Sequence, residues 1–150
     1  MPEPLHYHLK NCTRYRVIYG DTDQMGVVYY ANYLRWFEKG RTEFLRQVGA
    51  PYTSIEETGY RFPVIEVSCR YHRPAHYDET IVIETSLISL ERATLRFTYR
   101  LTGERDELLI AEGWTRHACI NPDGQVTKIS ADLKSKLQPA LSPAPRSPER

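Results

Sequence analysis

Cysteine is scarce in this chain: the 150 residues hold three, Cys12, Cys69 and Cys119, odd in number, widely spaced and without a Cys-x-x-Cys pair. A disulfide framework and a zinc knuckle are both disfavoured, and the thiols read as reduced. Cys69 alternates with Ile65, Val67 and Tyr71 in a strand pattern, which makes it a small core hydrophobe rather than a nucleophile. A charge of one sign is also missing. Twenty basic and 19 acidic residues leave a formal net charge of +1, so no overall field favours nucleic acid or an anionic membrane. No apolar run approaches the ~20 residues of a membrane span. The start, Met1-Pro2-Glu3-Pro4-Leu5-His6, has neither the basic nor the apolar region of a signal peptide, so the expectation is a cytoplasmic protein with no integral membrane segment. There is no Gly-x-Ser-x-Gly elbow, Walker A loop or Gly-x-Gly-x-x-Gly fingerprint, which removes serine-hydrolase, nucleotide-hydrolase and dehydrogenase readings. His72 and His76 are four apart, but Pro74 between them argues against one helix presenting both. Neither a metal nor a redox cofactor is implied.

What is present fits one domain, residues 1–137, followed by a tail, 138–150, whose Pro139, Pro143, Pro145 and Pro148 with serine and charge suggest disorder. A first strand is expected over about Tyr7 to Tyr19, and a long helix from about Val28 to Val48. In that helix Tyr33, Phe37, Gly40, Phe44 and Val48 recur at one-face spacing. Gly49-Ala50-Pro51 supplies its C-terminal punctuation, and Gly40 inside it implies that something packs closely there. After a short turn or helix near Tyr52 to Thr58, extended runs follow at Ile65 to Tyr71, Ile81 to Leu87, Leu95 to Leu101 and Leu108 to Ile120, the last with a bulge expected at Gly113. Turn formers at 103–106 and 121–124 predict an antiparallel meander for the last strands, and Ser130 caps a short helix through Leu137. The order is βαββββ. One apolar helix and a sheet with one apolar face bury each other most simply when the sheet curls around the helix, which gives an α+β roll.

Between the first strand and the helix lies Tyr19-Gly20-Asp21-Thr22-Asp23-Gln24-Met25-Gly26-Val27-Val28-Tyr29-Tyr30-Ala31-Asn32-Tyr33. Two carboxylates precede a glycine and then a helix start. Unpaired N–H groups and the helix dipole favour negative charge at that point, so an oxygen becoming anionic is stabilised beside a carboxylate that attacks or activates water. Asp21 and Asp23 also suit ordinary turn and cap positions.

This run, Tyr-x-Asp-Thr-Asp-x-x-Gly-Val-Val-Tyr-Tyr-x-Asn-Tyr-Leu, resembles the 4-hydroxybenzoyl-CoA thioesterase family of hotdog proteins, and the Tol-Pal-associated acyl-CoA thioesterases look like another branch. The likeness continues more weakly through 71–79 and covers roughly residues 10 to 125. The resemblance implies a hotdog fold, a curved antiparallel sheet wrapped around one long helix, and hydrolysis of an acyl-CoA thioester to free acid and CoA. It maps the catalytic carboxylate, nucleophile or general base, to Asp23 and leaves Asp21 to hold the turn. The backbone N–H of Tyr30, in the first helical turn, would polarise the carbonyl, and Gly26 would let the chain approach the substrate. The Tol-Pal-associated branch usually has histidine where Tyr30 stands, which puts a histidine-assisted mechanism in doubt. Glu38, two helical turns beyond Tyr30, is a candidate for a polar acyl end. Arg92, in the Ser89-Leu90-Glu91-Arg92-Ala93 turn, falls where the family contacts CoA phosphates, often across a subunit boundary, with Arg70 and Arg73 as vaguer candidates. A homodimer or homotetramer is implied. A hotdog module that binds acyl groups or a protein without turnover, and a thioesterase acting on acyl carrier protein, remain as alternatives.

Overall fold

The computed structural model describes residues 9–143. Strand β1 (Asn11–Arg16) leads through a 3-10 turn (Tyr19–Asp21) and an irregular loop into helix α1 (Asn32–Gln47), then a short helix α2 (Tyr52–Glu57). Four strands follow, β2 (Val64–Tyr71), β3 (Thr80–Leu90), β4 (Thr94–Gly103) and β5 (Leu109–Ala118), and helix α3 (Ala131–Leu137) with a 3-10 turn (Gln138–Ala140) closes the described chain. The sheet is antiparallel, in the order β1-β3-β4-β5-β2. The α+β hotdog architecture and the β3-β4-β5 meander are therefore as the sequence implies. Among the described residues no helix is long and apolar enough to cross a membrane.

One face of α1 fills the concave side of the sheet. Tyr33, Trp36, Phe37, Gly40, Phe44 and Leu45 are buried, and Phe37 stacks on Tyr99 with ring centroids 4.3 Å apart while Phe44 meets Phe97 edge-on at 5.5 Å. Ile81, Ile83 and Leu87 of β3 and Leu95, Phe97, Tyr99 and Leu101 of β4 alternate inward in the period-2 pattern. Each such side chain contributes about 1.5–3 kcal/mol by leaving water. Gly40 allows the close approach: a Cβ there would collide with Thr85 Oγ1 and lie 2.8 Å from Ile83 Cγ2. Gly49, at φ +80°, ends α1 and Ser130 Oγ caps α3 by accepting from the Leu133 N–H.

Several expectations need correction. The helix begins at Asn32, not Val28. Val28 is buried instead in a bridge to Thr22, its N–H donated to the Ala75 carbonyl, so an apolar residue at helical spacing is held by a loop. The first strand ends at Arg16, and Tyr19 opens the 3-10 turn; Tyr7 and His8 lie outside the described residues. Gly113 is not a bulge. It pairs in register with Cys69 and Tyr99, and its missing side chain admits the Ser68 carbonyl and the Phe37 ring, whereas the irregularities fall at Val64/Glu66, Leu87/Ser89 and Leu101/Thr102. Packing continues past Leu137, where Ala140 and Ser142 are buried and Leu141 bridges to Leu87; of the expected tail, 144–150 lie outside the described residues. Cys69 is half-buried, its thiol raised by burial.

Candidate active site

The two carboxylates of the turn do different work. Asp21 is 4 % exposed, and its Oδ2 accepts the Tyr15 hydroxyl at 2.7 Å and the Ile18 N–H at 2.9 Å. Its carbonyl accepts the Tyr29 N–H and the Asn32 side-chain amide. Asp21 thus ties β1, the 3-10 turn and the start of α1 together. Asp23 is half-buried and held by a tight local loop: its N–H donates to the Val27 carbonyl, its carbonyl accepts from Gly26, and its Oδ1 accepts the Met25 N–H at 2.8 Å. Oδ2 of Asp23 accepts no hydrogen bond from the described residues, which leaves it for chemistry. The reversal needs Gly26, whose φ of +80° a residue with a Cβ rarely adopts.

Next to this loop the chain presents donors. Tyr30 precedes α1 and lies outside its first turn, yet its peptide groups are oriented. The Tyr29 carbonyl accepts from the Asn32 N–H at 2.9 Å, and the Tyr30 carbonyl accepts the Tyr71 hydroxyl at 2.8 Å. In a trans peptide the N–H points opposite the C=O, so pinning both carbonyls aims the N–H groups of Tyr30 and Ala31 the other way. Among the described residues neither N–H meets a backbone acceptor. Fixed donors left without a backbone acceptor are of the kind that can stabilise a developing oxyanion.

The surroundings are aromatic. The Tyr30 ring, 62 % exposed, lies against Tyr29 and Tyr71, and Tyr71 meets Tyr33 at 5.1 Å. Partial burial first, then the Cys69 thiol, hold the Tyr71 phenol above its ordinary value, so it remains a donor at any physiological pH. The loop after β2 supports the turn from beneath. Arg73 grips Glu79 at 2.7 Å and Asp106 at 3.0 Å, Ala75 accepts from Val28, and the Tyr33 hydroxyl accepts the Ala75 N–H. Arg73 is thereby committed to the scaffold, which argues against it as a phosphate ligand. His72 Nε2 sits 3.2 Å from Glu112, and among the described residues no group of three or more His, Cys, Asp or Glu side chains could hold a metal ion.

Asp23 and Gly26 share one tight loop, and Tyr30 follows it on the way into α1, while Glu38 and Arg92 lie elsewhere. Glu38 is exposed and lines a cavity under the second half of α1, together with Arg41 and His117. Arg92 is an exposed residue in the β3–β4 turn, whose neighbour Thr94 pairs with Ala118 at the far end of β5. On β2, Tyr71 reaches Tyr30 whereas Val64 belongs to the cavity. At ~3.3 Å per residue, the seven steps from Val64 to Tyr71 along β2 put roughly 23 Å between these ends. In the sequence Tyr71 and Arg41 carry no site role, and His117 shows only as a strand histidine without a catalytic partner. Arg41 alone had a signal, its position three residues after Glu38 on the same helix face.

The sequence and the fold have parallels among known proteins. Residues 17–137 match the family described as the thioesterase-like superfamily. An acyl-CoA thioesterase, YbgC, of Haemophilus influenzae is 36 % identical over 107 residues, 71 % of this chain and 77 % of that one. The crystal structure of a hypothetical protein from Thermus thermophilus superposes with a TM-score of 0.81 at 36 % identity, over 87 % of this chain and 96 % of that one. The DHNA-CoA thioesterase of Staphylococcus aureus does so with a TM-score of 0.77 at 28 % identity, over 86 % and 91 %. With a family match over most of its length and a relative at this identity, the chain belongs to the thioesterase-like superfamily of hotdog proteins and is a thioester hydrolase.

Proposed function

We propose that this chain hydrolyses acyl-CoA thioesters to the free acid and CoA, with Asp23 supplying the carboxylate and the N–H of Tyr30 polarising the carbonyl. Two observations support this reading: Asp23 keeps a free oxygen, and seven residues on, where the same loop enters α1, stand N–H groups whose peptide carbonyls are already pinned by Asn32 and Tyr71. Donors fixed in advance need not reorganise as the carbonyl oxygen gains charge, and this is where such a site saves most of its barrier. Asp23 either attacks the carbonyl carbon, giving an anhydride that water opens, or takes a proton from attacking water. In both routes the C–S bond breaks, the thiolate leaves and is protonated, and a strong general acid is not required. Gly26 keeps the loop free of side-chain bulk where the thioester must pass.

The site is proposed to be completed by a second copy. Strand β2 is an edge strand whose Val64, Ile65, Val67 and Tyr71 are each more than 40 % exposed, an unpaired apolar edge of the kind that seeks a partner. Antiparallel pairing of two β2 strands about a two-fold axis brings the Val64 end of one beside the Tyr71 end of the other. The partner's Glu38 and Arg92 regions then approach this Asp23, which reconciles their distance from it within one protomer. A panel of aromatic and aliphatic CoA thioesters, with matched acyl carrier protein thioesters, tests the reading by thiol release. Turnover of a CoA thioester is expected; turnover of carrier-protein thioesters alone, or of none, would contradict it.

A further inference from the structure

Beneath the second half of α1 the fold leaves a cavity of about 200 Å³. An apolar cavity of ~150 Å³ suffices for benzene, so this one admits a single aromatic ring or a short branched chain. Leu45, Phe97 and Leu133 give it apolar walls, whereas Arg41, Thr42 and His117 add polar groups. Arg41 is half-buried and forms no ion pair with any described carboxylate. Its charge bears on the Tyr99 hydroxyl and the His117 ring instead, and both are neutral. His117 is 2 % exposed, with Nδ1 2.9 Å from the Phe62 carbonyl and Nε2 2.9 Å from Thr115 Oγ1. Glu38, on the same lining, is exposed and unpaired with Arg41.

A guanidinium keeps its charge when partly buried, and a desolvated cation without a counter-ion is costly. The group that would relieve the cost is a carboxylate, whose two oxygens match the planar fork of Arg41. We propose that this cavity binds the anion of a small organic acid, about one ring in size, with Arg41 pairing its carboxylate. The inference rests on the thioesterase reading only for the source of that anion. It is either the acid that hydrolysis releases or the second carboxylate of a diacid thioester reacting at a neighbouring Asp23.

Calorimetric titration of the full chain with benzoate and with benzyl alcohol tests the site without any turnover. Benzoate is expected to bind at least tenfold more tightly. Arg41→Gln should erase that preference, Arg41→Lys should keep part of it, and Leu133→Trp, which fills the cavity, should abolish both. Equal affinity for the two probes, no benzoate binding at millimolar concentration, or undiminished binding by Arg41→Gln would overturn the proposal. Rates on benzoyl-CoA and 4-carboxybenzoyl-CoA then separate the sources. An Arg41-dependent preference in kcat/KM for the diacid assigns the anion to substrate, and its absence with benzoate binding intact assigns it to released acid. Failure of all thioesters to turn over would strike the thioesterase reading and leave the binding result standing.

Discussion

The Tyr71 hydroxyl donates a 2.8 Å hydrogen bond to the Tyr30 carbonyl, tying the end of an edge strand to the residue whose N–H we propose polarises the thioester. Tyr71→Phe removes that tie and keeps the ring. We expect kcat to fall about tenfold, ~1.4 kcal/mol of barrier, with little change in KM. Tyr30→Phe keeps the N–H and should retain kcat within about tenfold. Steady-state kinetics on one good thioester reads both, and equal abolition by Tyr30→Phe would make its phenol the catalytic group.

Gly40→Ala tests the helix–sheet contact. Its methyl would meet Thr85 Oγ1, a buried hydroxyl without a hydrogen-bond partner, and the Ile83 side chain. Overpacking of about 1–3 kcal/mol outweighs the ~1 kcal/mol alanine gains in helix propensity, so urea denaturation should show a net loss. Adding Thr85→Ala should recover most of it, and a Gly40→Ala protein as stable as the parent would refute the contact.

The length of chain between partners decides how much of this was legible beforehand. Asp21, Asp23, Gly26 and Tyr30 fall within ten residues, so one motif carried the loop, and the alternation in β3 and β4 carried the sheet. The onset of α1 is not legible locally, because Val28 continues the helical period while a bridge to Thr22 and a bond to Ala75 hold it in a loop. Tyr71 with Tyr30, 41 residues apart, and Arg41 with His117 meet only once the sheet closes, and no local pattern announces such pairs.

His117 predicts a pH dependence of stability. Burial, with a smaller contribution from Arg41, pushes it down to about 4 from the ordinary 6.5, against the opposing Phe62 carbonyl. Between those values the unfolded chain binds a proton that the folded chain refuses, so this contribution is intact above pH 6.5 and is lost as pH falls towards 4. From pH 6.5 to 5 the loss is about 1.5 kcal/mol. Urea midpoints across that window should fall less steeply for His117→Gln, and identical slopes would count against a neutral buried imidazole.

Assembly through β2 is the next expectation. Light scattering at assay concentration should give a dimer or a multiple of it. Val67→Lys, which places charge on the exposed edge, should shift the protein to monomer and lower kcat/KM together. A fully active monomer would exclude a shared site.

The most direct test is thiol release by purified Asp23→Asn, compared with Asp21→Asn, after circular dichroism has established that each is folded. Asp23→Asn should keep the parent's stability and lose about 10²-fold or more in kcat, the scale for a missing base or nucleophile. Asp21→Asn should chiefly lose stability, because its buried carboxylate accepts from Tyr15 and Ile18. Near-normal turnover by folded Asp23→Asn would contradict the central claim.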